Sequence, residues 1–241
     1  MHESRLGVLV SVAAPELVEL ATLAGFDTVI LDAEHGALGP RELGMLVIAA
    51  RSRQARSWIR VARLDPQLIG LALDLGADAV LVPQIGSAEQ ARAAVAAARF
   101  APQGARGANP WVRAGDWSGS PEWYAEANNL AEVHLMIEGQ GGFDALDDIL
   151  TSGCTGVFVG PVDLSHAVGL PGQIDHPHVI GAVQSVLHDS AEAGVRTGVF
   201  AGSAIAARRW AQAGADLVAL GTDAMWALSG MRSAVAEFRQ P

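Results

Sequence analysis

The chain has 241 residues, half of them hydrophobic and 17% charged, with a net charge of -10. That balance supplies one large domain with a sizeable core, and it argues against nucleic acid and anionic membrane as partners, since both need a basic footprint. One cysteine, Cys154, excludes an intrachain disulfide, and no apolar run approaches the roughly 18 residues of a membrane span, so a soluble, cytoplasmic protein is expected.

Taken in chain order, eight short apolar strands are predicted near residues 6–12, 27–32, 57–62, 78–83, 133–138, 155–160, 195–200 and 216–221. Helices are predicted between and after them, at about 15–24, 40–52, 66–75, 87–99, 142–151, 177–193, 203–213 and 224–238. Gly25, Gly76, Gly153, Gly194 and Gly214 each stand where a left-handed residue closes a helix before the next strand. Asp65-Pro66 reads as a cap before a first-turn proline, and Ser87 with Gln90 has capping-box spacing. Eight strand–helix units in this length predict an α/β fold, a single (β/α)8 TIM barrel over residues 1–241. A doubly wound open sheet would need a glycine-rich phosphate turn after its first strand, and "VLVSVAAPE" has none. A long insertion at about 101–132, between strands four and five, holds Trp111, Trp117 and Trp123, read as packing of the loop.

In such a barrel the chemistry sits at the C-terminal strand ends. Strand two ends in Asp32, Glu34 and His35, strand three carries Arg60, Gln84 follows strand four, strand five ends at Glu138, and Asp163 follows strand six. Glu138 and Asp163, with no cysteine or His-x-His pair beside them, suggest an oxygen-preferring divalent ion such as Mg2+ or Mn2+; the other reading is a pair of acids bridged to arginines. Asp32, three residues before His35, can hold one ring nitrogen and leave the other as a base, where an isolated loop histidine would be surface. Arg60 offers a fixed positive charge to an enolate or carboxylate oxygen, or else pairs with Glu34 or Asp74. His134, His166, His176, His178 and His188 are read as structural or surface groups.

"LDAEHG", "IRVARLDPQLIGLALDLGADAVLVPQI", "MIE" and "GVFVGPVDLSHAVGLPG" resemble the HpcH/HpaI aldolases, metal-dependent class II pyruvate aldolases, in family order from about residue 6 to 230. The resemblance implies a lyase that reversibly cleaves a 4-hydroxy-2-oxo acid to pyruvate or hydroxypyruvate and an aldehyde, through an enolate held by metal. It makes Glu138 and Asp163 the ligands of Mg2+ or Mn2+, with Co2+ also admissible. Arg60 would hold the keto oxygen, His35 with Asp32 would handle protons through a water, and Asp74 would support the site. The backbone of Gly160, Pro161, Val162 and Asp163 would bind the substrate carboxylate. A homo-oligomer is implied, a hexamer whose last helix is exchanged between subunits. Met136 stands where many members carry glutamine, and Leu9 where some carry tryptophan; with "RGANPWVRAGDW" these positions are expected on the aldehyde side. Two alternatives are a carbon–carbon bond-forming synthase using acetyl-CoA and oxaloacetate, and a non-catalytic 2-oxo-acid binding protein.

Overall fold

The computed structural model describes residues 4–240. Eight strands close into one parallel barrel in chain order: β1 (Arg5–Val10), β2 (Thr28–Asp32), β3 (Arg56–Arg60), β4 (Ala79–Val82), β5 (Glu132–Ile137), β6 (Gly156–Val159), β7 (Arg196–Ala201) and β8 (Leu217–Thr222). The helices are α1 (Pro15–Leu23), α2 (Pro40–Ser52), α3 (Pro66–Asp74), α4 (Ala88–Ala98), α5 (Pro121–Leu130), α6 (Gln140–Asp144), α7 (Leu146–Leu150), α8 (Pro161–Ala167), α9 (Pro177–Glu192), α10 (Ala204–Gln212) and α11 (Asp223–Phe238). The predicted helix at 142–151 is two short ones, broken at Ala145. Helices α5 and α8 arise where none was predicted.

Alternation along each strand divides the core in two. Outward residues such as Val29, Leu31, Ile59 and Val80 pack under the helices. Inward residues Ile30, Trp58, Leu81, Met136, Phe158 and Leu217 fill the lumen. Bulk is matched to space: a Cβ on Gly198 would run into the Phe158 ring, and one on Gly156 would lie 2.5 Å from His134 Nδ1. The two glycines therefore admit two large rings into one narrow barrel.

The five helix-closing glycines all have positive φ, from 70° at Gly194 to 103° at Gly25. Two residues after four of them comes a second device. Asp27 accepts the Leu6 N–H (3.0 Å), Asp78 that of Ser57 (2.7 Å), Thr155 that of Val133 (2.9 Å) and Asp216 that of Thr197 (2.7 Å). Each even-numbered strand thus begins by tying down the start of the odd-numbered strand before it. Gly194 precedes an odd strand, and Arg196 replaces the acceptor there. Asp65 caps α3 as expected, and Ser87 caps α4, but Gln90 returns its bond to the Gly86 N–H (2.7 Å) rather than to Ser87.

The insertion runs from α4 back to β5 through α5, which places it at the N-terminal end of the barrel. It is clamped by Asn128, whose side chain exchanges two bonds with the Phe100 backbone (2.7 and 3.1 Å). Trp123 packs against Phe100 and Tyr124, as expected for a packing residue. Trp111 and Trp117, at 71% and 61% exposure, do not. The loop also lies opposite the strand ends that form the mouth, so within this chain it cannot line the aldehyde side. Among the described residues no helix is long and apolar enough to cross a membrane.

Candidate active site

The inward series that fills the lumen ends, at the C-terminal rim, in ionisable groups. Ile30 leads to Asp32, Trp58 to Arg60, and His134 and Met136 to Glu138, each at a spacing of two. Parallel pairing sets Asp32 directly beside Arg60. The carboxylate and guanidinium meet in a two-pronged contact, Nε to Oδ1 at 2.8 Å and Nη2 to Oδ2 at 2.7 Å. Glu34 adds a third oxygen 3.1 Å from Nη1. Arg60 is buried, with 9% of its side chain exposed, and the two acids hold it charged against the pull of burial.

This pairing changes the expected histidine–aspartate dyad. Asp32 Oδ1 also accepts the backbone N–H of Glu34 (3.0 Å) and of His35 (3.2 Å), so it is committed to Arg60 and to the turn. It makes no bond to the His35 ring. The carboxylate nearest that ring belongs to Glu34, at 3.8 Å, and the ring is 70% exposed at the mouth. Burial would raise Asp32, yet its bonds from Arg60 keep it below the ordinary range.

Glu138 follows β5 and is 8% exposed. Burial, then the charges of Asp163 and Glu34, push its carboxyl up to about 7 against the opposing pull of the Gln84 N–H and Arg60. That N–H lies 2.7 Å from Oε1, while the Gln84 side chain reaches Glu34 Oε1 at 3.2 Å. Gln84 has φ of 58°, the left-handed conformation, which aims its amide at Glu138. Asp163 lies in the first turn of α8. The hydrogen-bonded part of that helix begins with Leu164 N–H to Gly160 O, so the Val162 and Asp163 amides precede it. Pro161 has no N–H to offer.

The donor set suits a hard divalent ion. A Cβ on Gly160 would lie 3.3 Å from Glu138 Oε2 and 3.4 Å from Asp163 Oδ2, so both oxygens flank one spot beside this glycine. A buried carboxylate raised by the charge of another is the state a cation relieves. Among the described residues no group of three His, Cys, Asp or Glu side chains can hold a metal unaided. Two carboxylates leave the remaining positions of an oxygen-ligated ion to water and substrate.

Two contiguous cavities, of about 340 and 310 Å3, share His35 and Asp163 and bring Asp32, Arg60, Glu138 and Gly160 together. Asp74 is not among these. It ends α3 next to the turn into β4, at the N-terminal end of the barrel, and binds the buried Arg106 (2.5 Å). Glu34 was expected at the strand-two end and as one alternative partner of Arg60, without a role of its own, and one contributor went unpredicted. Asp223, 7% exposed, accepts the N–H groups of Ser11 and Val12 and holds the rim of β1. It follows β8 as Glu138 follows β5, and the strand-end criterion extended to β8 finds it. His134 is buried, stacked on Trp58 at 3.9 Å, and structural as expected.

A closed parallel barrel with a guanidinium and four carboxylates at its C-terminal mouth defines a barrel enzyme with a metal-ready site. The chain belongs to the HpcH/HpaI aldolase/citrate lyase family, whose pattern it matches over residues 5–229. It is 35% identical over 223 residues to the 5-keto-4-deoxy-D-glucarate aldolase of Klebsiella pneumoniae subsp. pneumoniae, covering 92% of this chain and 87% of that one. It is 34% identical over 239 residues to a hydroxypyruvate/pyruvate aldolase of Pseudomonas aeruginosa, covering 98% and 89%. The crystal structure of an HpcH/HpaI aldolase/citrate lyase family protein from Burkholderia cenocepacia J2315 superposes with a TM-score of 0.94 at 32% identity, covering 99% of this chain and 96% of that one. The protein is thus an aldolase, a carbon–carbon lyase.

Proposed function

We propose that this aldolase reversibly cleaves a 4-hydroxy-2-oxo acid into pyruvate or hydroxypyruvate and an aldehyde, using a divalent ion at Glu138 and Asp163. One observation carries the reading: Arg60, clamped by Asp32 and Glu34, shares a mouth with the two carboxylates that flank Gly160. When bound, Mg2+, Mn2+ or Co2+ supplies Lewis-acid polarisation of the 2-oxo acid and offsets the carboxylate charge.

The chain's own groups do the rest. The Val162 and Asp163 amides face the substrate carboxylate at the start of α8. His35, through a water, takes the proton of the 4-hydroxyl. The freed O–H electron pair forms the aldehyde C=O, and the C3–C4 pair moves to C3 as that bond breaks. Negative charge builds on the 2-oxo oxygen, where Arg60 meets it without having to reorganise, because its acids already hold it in place. A proton from water then adds to C3 and completes pyruvate, and the proton taken from the 4-hydroxyl passes from His35 to water, so none is gained or lost. Asp32 is here a positioning residue for Arg60 rather than half of a proton relay, and Asp74 has no part at this mouth of its own barrel.

The aldolase names of the relatives favour this over acetyl-CoA-dependent synthesis and over mere binding of a 2-oxo acid. We also infer a cytoplasmic homo-oligomer. The large apolar residues of α11, including Trp226, Leu228, Met231 and Phe238, are left exposed (Phe238 at 90%), which supports burial against a second copy. The test is Glu138→Ala and Asp163→Ala, each with folding checked by circular dichroism. Both are expected to fold and to lose turnover of 4-hydroxy-2-oxo acids at saturating Mg2+ or Mn2+. Retained metal-dependent turnover in both would overturn the assignment, as would consumption of acetyl-CoA with oxaloacetate by the parent enzyme.

A further inference from the structure

The mouth is divided. The charged groups that line the cavity come from β2 to β6, while the walls on the side of β1, β7 and β8 are Leu9, Ser11, Phe200 and Thr222, with the Asp223 carboxylate outside that lining and occupied by the Ser11 and Val12 N–H groups. Below lie Leu81, Met136 and Phe158, and Val162 stands at the rim, 44% exposed. The two hydroxyls are partly spent: Ser11 Oγ donates to Asp223 (3.0 Å), and Thr222 Oγ1 accepts the Met225 N–H (3.1 Å). Among the described residues Arg60 is the sole arginine or lysine lining the cavity, and two acids already claim it.

We propose that the aldehyde handled on this side is uncharged and apolar, an alkyl or aryl aldehyde, so that the substrate is a 4-hydroxy-2-oxo acid with a hydrocarbon substituent on C4. This rests on the pyruvate-aldolase reading and narrows it. A chain of hydroxyls placed here loses its water and meets almost no partner. A second carboxylate fares worse. Asp32, Glu34, Glu138 and Asp163 face one guanidinium, and a bound divalent ion together with the substrate's own carboxylate leaves the field negative. Hydrocarbon instead covers Leu9, Phe200 and Phe158 and gains from the apolar area it removes from water. The glucarate named for the Klebsiella relative, a sugar diacid, is the kind of substrate this wall disfavours. The bonds made and broken are those already described, with nothing oxidised or reduced.

The experiment uses the metal-loaded enzyme, pyruvate and an isosteric pair of acceptors, 4-methylpentanal and 4-oxobutanoate, which differ by an isopropyl group against a carboxylate. Deuterium exchange into the pyruvate methyl is recorded alongside, as a readout of the donor half alone. The expected result is exchange, with kcat/KM at least about tenfold higher for 4-methylpentanal, the ratio given by 1.4 kcal/mol of preference. Val162→Arg, on an exposed rim position, is expected to narrow that ratio at least threefold by adding a cation. Exchange with equal or better use of 4-oxobutanoate would overturn the apolar acceptor and leave the aldolase reading standing. Absence of exchange and of both condensations would overturn the donor assignment and this inference with it. A ratio unmoved by Val162→Arg would overturn selection by this wall.

Discussion

Glu132→Gln tests the ion pairs that close the N-terminal end of the barrel. Glu132 starts β5 and lies 2.9 Å from Arg56 of β3 and 3.0 Å from Arg196 of β7, with His134 Nε2 at 3.4 Å. Burial alone would raise its carboxyl; the bonds from His134 and Arg56 and the charges of both arginines outweigh this and bring it from 4.5 down to about 2. His134, fully buried, is held below the ordinary histidine range by burial, against the opposing pull of the Glu132 carboxylate. A shift of that size corresponds to about 3 kcal/mol, and to about 2 kcal/mol once screening at Arg196, 46% exposed, is allowed for. Because the folded-state value is depressed, the contribution is present above the unfolded value near 4.5 and is lost as pH falls toward 2. Urea unfolding of parent and variant is therefore expected to differ by about 2 kcal/mol at pH 7, with the gap shrinking steadily below about pH 5. A gap that stays constant from pH 7 to 3.5, or a variant as stable as the parent at pH 7, would refute the reasoning. Turnover is expected to be unchanged, since the group lies at the opposite end from the mouth.

Two further predictions concern the frame. Gly198→Ala is expected to destabilise by about 1–3 kcal/mol through collision with Phe158, and Phe158→Leu in the same chain to recover most of it; unfolding midpoints of the four proteins decide, and simple additivity would contradict the packing account. Asp78→Ala, which removes the acceptor for the Ser57 N–H, is expected to cost about 1–2 kcal/mol and to raise amide exchange at Ser57; an unchanged exchange rate there would contradict the strand-tying role.

Much of the barrel was legible because its signals are local: an apolar strand in every unit, a closing glycine before five of the eight strands, and caps such as Asp65 and Ser87. Helix α5 was equally legible, since Ser120-Pro121-Glu122 repeats the cap and first-turn proline of Asp65-Pro66, but tryptophans and glycines around it disguised it as loop. The position of the insertion follows from topology alone, because whatever lies between a helix and the next parallel strand falls at the N-terminal end. The site was legible as a set of strand-end acids with Arg60. Its wiring was not. That Asp32 binds Arg60 rather than the His35 ring depends on the register between β2 and β3, which leaves no mark on either segment. Gln84 adopts a left-handed conformation with no glycine to announce it, imposed by the surrounding fold.

The central claim is that Arg60 and a divalent ion at Glu138 and Asp163 stabilise the enolate of pyruvate. Proton NMR of pyruvate in D2O, with chelated enzyme and after restoring Mg2+ or Mn2+, tests it without knowledge of the aldehyde. The account predicts loss of the methyl signal only with metal, abolished by Arg60→Ala in a chain that still folds. Exchange that ignores the metal, or that survives Arg60→Ala undiminished, would contradict it.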